Sequence, residues 1–278
     1  MTDDHDQLSV LLPVYAGVDA GHLAEALESI ARQTLPAREV VVVEDGPLTD
    51  EQHRVLESFG AAHPGLVRVP LAVNGGAGIA NQAGLAAATY PWIAKADADD
   101  VLAPDRFEKQ VAALRLSGAD LCGSAMWEFD DDPAHPVRLR TNPLTHEAIA
   151  ARMRFNNPIN HPTVVYRRGL ALEVGGYPTM RFMQDYDLFA RLLAGGARMQ
   201  NLEEPLVSFR AGDTMRKRRS ARGYLRLELE LQRRLRSYGV IGPVTMVRNL
   251  AVRWTFRLLP QRLIRATYSR FLSTPVAP

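Results

Sequence analysis

Glu39-Val40-Val41-Val42-Val43-Glu44-Asp45-Gly46-Pro47 decides the fold of this chain. A continuous β-branched run of this kind is expected of a parallel strand covered on both faces. Upstream, Leu8 to Val14 reads as a second strand, and Leu23, Leu27, Ile30, Ala31 and Thr34 fall at helical spacing, which predicts a helix over 21–34. Downstream, 50–61 reads as a helix and 66–71 as a strand. A Gly-rich turn at 74–78 opens a helix through Ala88, and Trp92 to Ala96 is a further strand. Strand, helix, strand in repetition predicts an open, mostly parallel, Rossmann-like α/β sheet flanked by helices. In such sheets ligands sit at the carboxyl ends of the strands. Glu44-Asp45 and Asp97–Asp100 stand at two such ends.

Farther along, 104–118 reads as a helix with Pro104 in its first turn. A strand over 119–127, an Asp- and Pro-rich loop over 128–144, a helix over 145–154, a strand at 163–166 and a helix at 184–194 follow. Residues 221–237 and two amphipathic segments from Pro243 onward form a helical extension. The chain has 278 residues, 46% apolar and 23% charged, enough for a sizeable core, so disorder as the main state is excluded. A single cysteine, Cys122, excludes a disulfide framework and a cysteine zinc site and fits a reducing compartment. The polar start MTDDHDQ lacks the basic and apolar regions of a secretory signal. No uninterrupted run of about 18 apolar residues exists, so no spanning helix is expected. The net charge of +2 hides an asymmetry: from Arg210 onward there are 16 Lys/Arg against 3 Asp/Glu, and before it 17 against 28. The basic tail on an acidic body points to an anionic surface and away from nucleic acid.

Four clusters carry chemistry. In Ala96-Asp97-Ala98-Asp99-Asp100, three carboxylates within four positions repel one another unless a cation or donors compensate, and such oxygens suit Mg²⁺ or Mn²⁺. The plain alternative is a solvated turn with Asp100 as a helix cap. In Glu44-Asp45-Gly46-Pro47 an acid after a buried strand can accept from ribose or base, or can simply start a turn. Asn74-Gly75-Gly76-Ala77-Gly78 lets backbone N–H groups approach a diphosphate, but neither a dinucleotide fingerprint nor a Walker A pattern is present. In Gln184-Asp185-Tyr186-Asp187 the helix dipole stabilises a carboxylate, with a helix cap as the alternative. His161, in Asn160-His161-Pro162-Thr163, reads as a loop histidine. There is no G-x-S-x-G or H-E-x-x-H.

In order and spacing these clusters resemble the family 2 glycosyltransferases of GT-A fold, and more narrowly the bacterial exopolysaccharide transferases of amylovoran type. The resemblance covers about 8–220. It is carried by Ser9–Tyr15, Glu28–Ile30 with Gln33-Thr34, Glu39–Pro47, Ala94–Asp100, Arg106–Gln110, Asn160–Thr163, Gly175–Tyr177 and Gln184–Leu188. It implies that Pro13, Val14 and Tyr15 line the nucleotide pocket and that Asp45 contacts the nucleoside. Glu44, Asn74, Gly76 and Lys95 are counted with the donor-binding residues. Asp97 and Asp99 are the metal-binding pair, Asp185 is the catalytic base, and Arg210 lies near the diphosphate. Four positions depart from the family pattern: Gln184 for Glu, Glu44 for Asp, and Asn81-Gln82 where Arg/Leu-Asn is usual.

The resemblance implies an inverting, metal-dependent transferase acting on a nucleotide-sugar donor, UDP-linked, and a glycan or lipid-linked acceptor in surface or exopolysaccharide synthesis. It divides the chain into a catalytic domain over 1–215 and an extension over 216–278. The catalytic domain splits into a nucleotide half, 1–100, and an acceptor half, 101–215. Val244, Val247, Leu250, Ala251, Trp254 and Leu258 line one helical face and Arg248, Arg253 and Arg257 the other. Leu263, Ile264, Tyr268, Phe271 and Leu272 repeat the theme. Such helices suit an anionic membrane surface, hence a cytoplasmic protein peripheral on the cytoplasmic face; packing on the catalytic domain or another subunit is the alternative. Rival classes are a non-catalytic nucleotide-sugar binder and a nucleotidyltransferase. The sequence leaves the oligomeric state open. The reading requires Asp97, Asp99 and Asp185 to converge on one cleft.

Overall fold

The structure, a computed structural model, describes residues 7–211 and 223–258. The strands are β1 (Leu8–Val14), β2 (Glu39–Glu44), β3 (Leu66–Pro70), β4 (Trp92–Lys95), β5 (Val101–Leu102), β6 (Leu121–Phe129), β7 (Arg138–Arg140), β8 (Val165–Arg167) and β9 (Met199–Arg210). The helices are α1 (Ala20–Ala31), α2 (Asp50–Ala62), α3 (Ala77–Ala87), α4 (Arg106–Ser117), α5 (His146–Met153), α6 (Arg168–Glu173), α7 (Gln184–Ala194), α8 (Gly223–Ser237) and α9 (Pro243–Leu258), with a 3₁₀ turn at His161–Thr163.

All nine strands form one mixed sheet in the order β3-β2-β1-β4-β8-β6-β9-β5, with β7 on β6. β3, β2, β1 and β4 are parallel. The direction changes at β4, which pairs antiparallel with β8. This reversal positions the site. The end of β4 and the start of β8 share one rim, where Lys95 N–H donates to Val164 O at 2.9 Å.

The valine run is covered on both faces, as its composition requires. Val40 and Val42 join Leu8, Val10 and Leu12 in a core with Leu23 and Leu27 of α1 and Phe107 and Val111 of α4. Val41 and Val43 join Leu11 in a core with Ala80 and Leu85 of α3 and Leu188 and Phe189 of α7. Each such aliphatic side chain contributes about 1.5–3 kcal/mol when fully buried.

The sequence reading missed β5, β7, α6 and β9. β5 has two residues and β7 three, too few for a period to show. β9 is long, but Glu203-Glu204-Pro205 interrupts its alternation, and its pairing with β6 carries register shifts there. Pro205 is tolerated because such irregularities release a ladder donor.

The extension does not stand apart from the catalytic fold. Leu231 and Leu235 of α8, with Ile241, enter the same core as α3 and α7. Of the two placements considered for the apolar face of α9, packing on the catalytic domain is not the one seen: Val244, Val247 and Trp254 face outward. The polar side of α9 faces the protein, where Asn249 is buried against Gln232 and Arg253 pairs with the buried Glu228. Val244, Val247, Val252 and Trp254 are exposed. The cause is the mate: α8 presents Glu228 and Gln232, buried polar groups that need partners. The 215/216 boundary, the run Arg216-Lys217-Arg218-Arg219 and the segment containing Leu263 to Leu272 lie outside the described residues.

Candidate active site

Parallel pairing aligns Val14-Tyr15, Glu44-Asp45 and the segment after Lys95 along one rim. Asp45 N–H donates to Val14 O at 2.7 Å, locking two of these ends together. Asp45 is not the start of a helix turn: Thr49 and Gln52 cap α2 reciprocally instead. Its carboxylate reaches across the rim, Oδ1 accepting from Gly75 N–H at 2.7 Å and Oδ2 from Gly76 N–H at 3.0 Å, while Asn74 Nδ2 donates to Asp45 O at 3.1 Å. Gly76 has φ +83°, the left-handed region where a side chain is strained. The aspartate thus shapes the glycine loop and retains lone pairs for a ligand. Glu44, expected among the donor contacts, is committed to Arg68 at 2.6 Å, with His53 at 3.9 Å, and serves β2–β3 packing.

The acid loop is asymmetric. The buried Lys95 ammonium donates to Ala96 O and to Asp97 Oδ1. Burial alone would raise the Asp97 carboxyl, but the charge of Lys95, with His161 and Arg106, holds it below the usual range. Asp99 is pushed up by burial and by the charge of Asp97. Asp100 is pushed up most, by burial and then by both neighbours. It is no helix cap: it is buried, its Oδ1 accepts from Arg210 N–H at 3.0 Å, and its Oδ2 has no partner among the described residues. The Arg210 guanidinium donates to Asp99 O (3.1 Å), Asp131 O (3.0 Å) and Glu25 Oε2 (2.7 Å) and lies over Phe129. It is a clamp on the acid loop.

The donor set here is all oxygen. Among the described residues no three His, Cys, Asp or Glu side chains form a metal-holding group. Two neighbouring carboxylates, one pushed toward protonation by burial and then by the other, fit a hard cation that takes its remaining ligands from phosphate and water. They do not fit a closed zinc cage.

The opposite wall comes from the 3₁₀ turn and α7. His161 is no surface-loop residue. Its Nε2 lies 3.0 Å from the Tyr177 hydroxyl, which in turn accepts from Tyr166 at 3.2 Å. Burial and then Lys95 push the imidazole pKa down, while Asp185 and Asp97 both oppose this. Carboxylates from the two halves of the chain therefore act on one imidazole. Asp185 does not cap α7. The capping position is Met183, at φ 63°, and Asp185 lies in the first turn with Oδ2 accepting from Asn157 Nδ2 at 2.8 Å.

The two halves meet closely at Gly78, where a Cβ would strike the carbonyls of Pro178 and Met180. The departure at Gln82 has a structural use: Gln82 Oε1 accepts from Tyr177 N–H at 2.7 Å. Asn81 Nδ2 donates to Ala77 O at 2.7 Å. Several residues that carry the resemblance are scaffold. Buried Arg106 donates to Lys95 O at 2.9 Å, and Gln110 bridges Cys122 O and Thr163 O, each at 2.8 Å. Asn157 and Glu25 were missed; no local pattern marks them, because their partners are remote in sequence.

The sequence profile described as Glycosyl transferase family 2 matches residues 9–175. The amylovoran biosynthesis glycosyltransferase AmsE of Erwinia amylovora is 34% identical over 263 residues, covering 94% of this chain and 98% of that one. An Escherichia coli protein described as UDP-Gal:alpha-D-GlcNAc-diphosphoundecaprenol beta-1,3-galactosyltransferase is 29% identical over 94% of each chain. Among solved structures, a fragment (1–349) of S. aureus TarS in complex with UDP-GlcNAc superposes with a TM-score of 0.64 at 20% identity, covering 82% of this chain and 66% of that one. Pyrobaculum calidifontis mannosyltransferase PcManGT with GDP-Man and Mn²⁺ gives 0.60 at 19% identity, covering 96% and 76%. These likenesses show the fold, that of GT-A glycosyltransferases.

Proposed function

Since the chain belongs to glycosyltransferase family 2 and is a glycosyltransferase, we propose that it moves a sugar from a UDP-linked donor onto a hydroxyl of a lipid-linked glycan, with inversion. The observation that carries this is the shared rim, where Lys95, paired with Asp97, donates its backbone N–H to Val164 O at 2.9 Å beside the His161 turn, with Asp185 and Asp97 both acting on His161. Acids suited to the donor diphosphate and a carboxylate suited to an acceptor hydroxyl stand around one imidazole. Pro13, Val14, Tyr15, Asp45, Asn74 and Gly76 hold the nucleoside, on the rim formed by β1, β2 and the glycine loop. Asp97 and Asp99 would hold Mg²⁺ or Mn²⁺, which supplies neutralisation of the departing diphosphate. Lys95 keeps Asp97 ionised for that purpose, and Arg210 fixes the loop. Asp185 accepts the proton of the acceptor hydroxyl as its oxygen attacks the anomeric carbon and the bond to the diphosphate breaks. A single displacement inverts the centre, and general-base help of this kind is worth about 10² to 10⁴-fold.

The UDP donor and lipid-diphosphate acceptor follow the description of the E. coli relative, together with the family's exopolysaccharide context. No helix among the described residues is long and apolar enough to cross a membrane. The outward Val244, Val247 and Trp254 of α9 support attachment to a bilayer surface, where such an acceptor resides.

A panel of UDP-, GDP- and dTDP-sugars, offered with a GlcNAc-diphospho-lipid acceptor with and without Mn²⁺, tests the reading. Asp185→Asn should abolish transfer and leave donor binding intact. Asp99→Ala should weaken donor binding only when Mn²⁺ is present. Wild-type turnover by Asp185→Asn would refute the assignment of the base.

A further inference from the structure

We propose that Asn157 is the positioning residue of Asp185, aiming one carboxylate oxygen at the acceptor hydroxyl; this rests on the reading of Asp185 as the base. Asn157 Nδ2 donates to Asp185 Oδ2 at 2.8 Å across 28 positions of sequence. The amide cannot be turned the other way, because its Oδ1 already accepts from Ile159 N–H at 3.2 Å. A flipped amide would lose that bond and set an oxygen against a carboxylate. Among the described residues no other hydrogen bond reaches this carboxylate, so Asn157 alone selects its rotation. Oδ2 is occupied and Oδ1 is left to accept a proton.

The backbone around Asn157 is anchored on two sides. Asn201 Nδ2 donates to Pro158 O at 3.1 Å and Asn160 Nδ2 to Ser124 O at 3.0 Å. From the other side, Asn249 Nδ2 donates to Arg154 O at 2.8 Å and Arg253 to Phe155 O at 2.7 Å, both from the inner face of α9. The backbone on both sides of Asn157 is therefore tied to the surrounding elements. That is what a positioning residue requires, since misplacement by about 1 Å can cost around 10²-fold in rate.

The test compares Asn157→Ala, Asn157→Asp and Asp185→Asn in the full chain, with the donor and acceptor that the wild type turns over in the panel above. Asn157→Ala should lower kcat by about 10- to 100-fold with donor KM within about twofold of wild type. Asn157→Asp should move the acid limb of the kcat profile to higher pH, because two adjacent carboxylates share a proton. A rise in donor KM at unchanged kcat would overturn the proposal. So would an unaltered kcat and pH profile in a background where Asp185→Asn is inactive, and the base reading would then stand. Activity in Asp185→Asn overturns both. A substrate-free measurement guards against misfolded Asn157 variants: the ¹⁵N side-chain amide resonances of Asn157 should shift in Asp185→Ala, and an unmoved signal would overturn the proposal.

Discussion

The Tyr238 hydroxyl donates to Oδ1 of Asp187 at 2.9 Å, tying the segment after α8 to the helix that carries Asp185. Asp187 is fully buried and also pairs with Arg191 at 2.8 Å. The helical extension is thus a structural part of the wall that carries Asp185.

Removing that tie should be costly. Tyr238→Phe should lower stability by about 1.5–3 kcal/mol, the range for a hydrogen bond to a charged group. Asp187→Ala should lower it further, because it also removes the carboxylate paired with the largely buried Arg191. Urea unfolding of the three proteins measures both. An unchanged midpoint in Tyr238→Phe would show that the extension does not support α7.

His161 predicts an acid sensitivity. Burial, then Lys95, holds its folded pKa below the ordinary 6.5. The unfolded chain therefore binds that proton more readily, so the stability tied to neutral His161 is complete above about pH 6.5 and is lost as pH falls through the lower folded value. The slope from one such proton is at most about 1.4 kcal/mol per pH unit. His161→Gln should flatten the fall in melting temperature below pH 6.5. Parallel curves for the two proteins would place the acid sensitivity elsewhere.

Gly78→Ala tests how tightly the two halves of the cleft meet. The added methyl group would collide with backbone carbonyls of Pro178 and Met180, which no rotamer change can move aside. A loss of about 1–3 kcal/mol is expected, as for other overpacked sites, together with weakened turnover. Thermal melts and transfer assays would reveal it, and a silent substitution would mean the loop before α7 yields freely.

The outward apolar face of α9 makes the membrane reading testable by charge. Val244→Glu with Val247→Glu alters residues that are 81% and 67% exposed, so folding should be preserved. Flotation with phosphatidylglycerol-containing vesicles should fall several-fold relative to wild type. Equal flotation would assign that face to another partner.

The strands that determine the sheet were legible because each is a short apolar run set between helical periods. Val40–Val43 and Leu8–Val14 need no tertiary information. β9 was illegible because its irregularity is set by its neighbour β6. The Asp97–Asp100 cluster stood out locally, but its internal division did not: Asp100 turns inward to Arg210, which lies 110 positions away. Asn157 was illegible for the same reason. The orientation of α9 was left open between two placements because amphipathicity says only that two faces differ. Which face turns inward was decided by Glu228 and Gln232, polar groups on the helix beside it.

The change of strand direction at β4 has a consequence for the far margin of the sheet. The ends of β1, β2, β4, β6 and β9 and the start of the reversed β8 share one border, where the candidate site residues gather. The opposite border holds the turns around Arg38, Gly65, Pro91 and Gly118, none of them among the candidate site residues. A short flexible peptide spliced in after Gly118, where a glycine Cβ would touch nothing, should leave sugar transfer intact, and loss of transfer there would mean the two borders communicate.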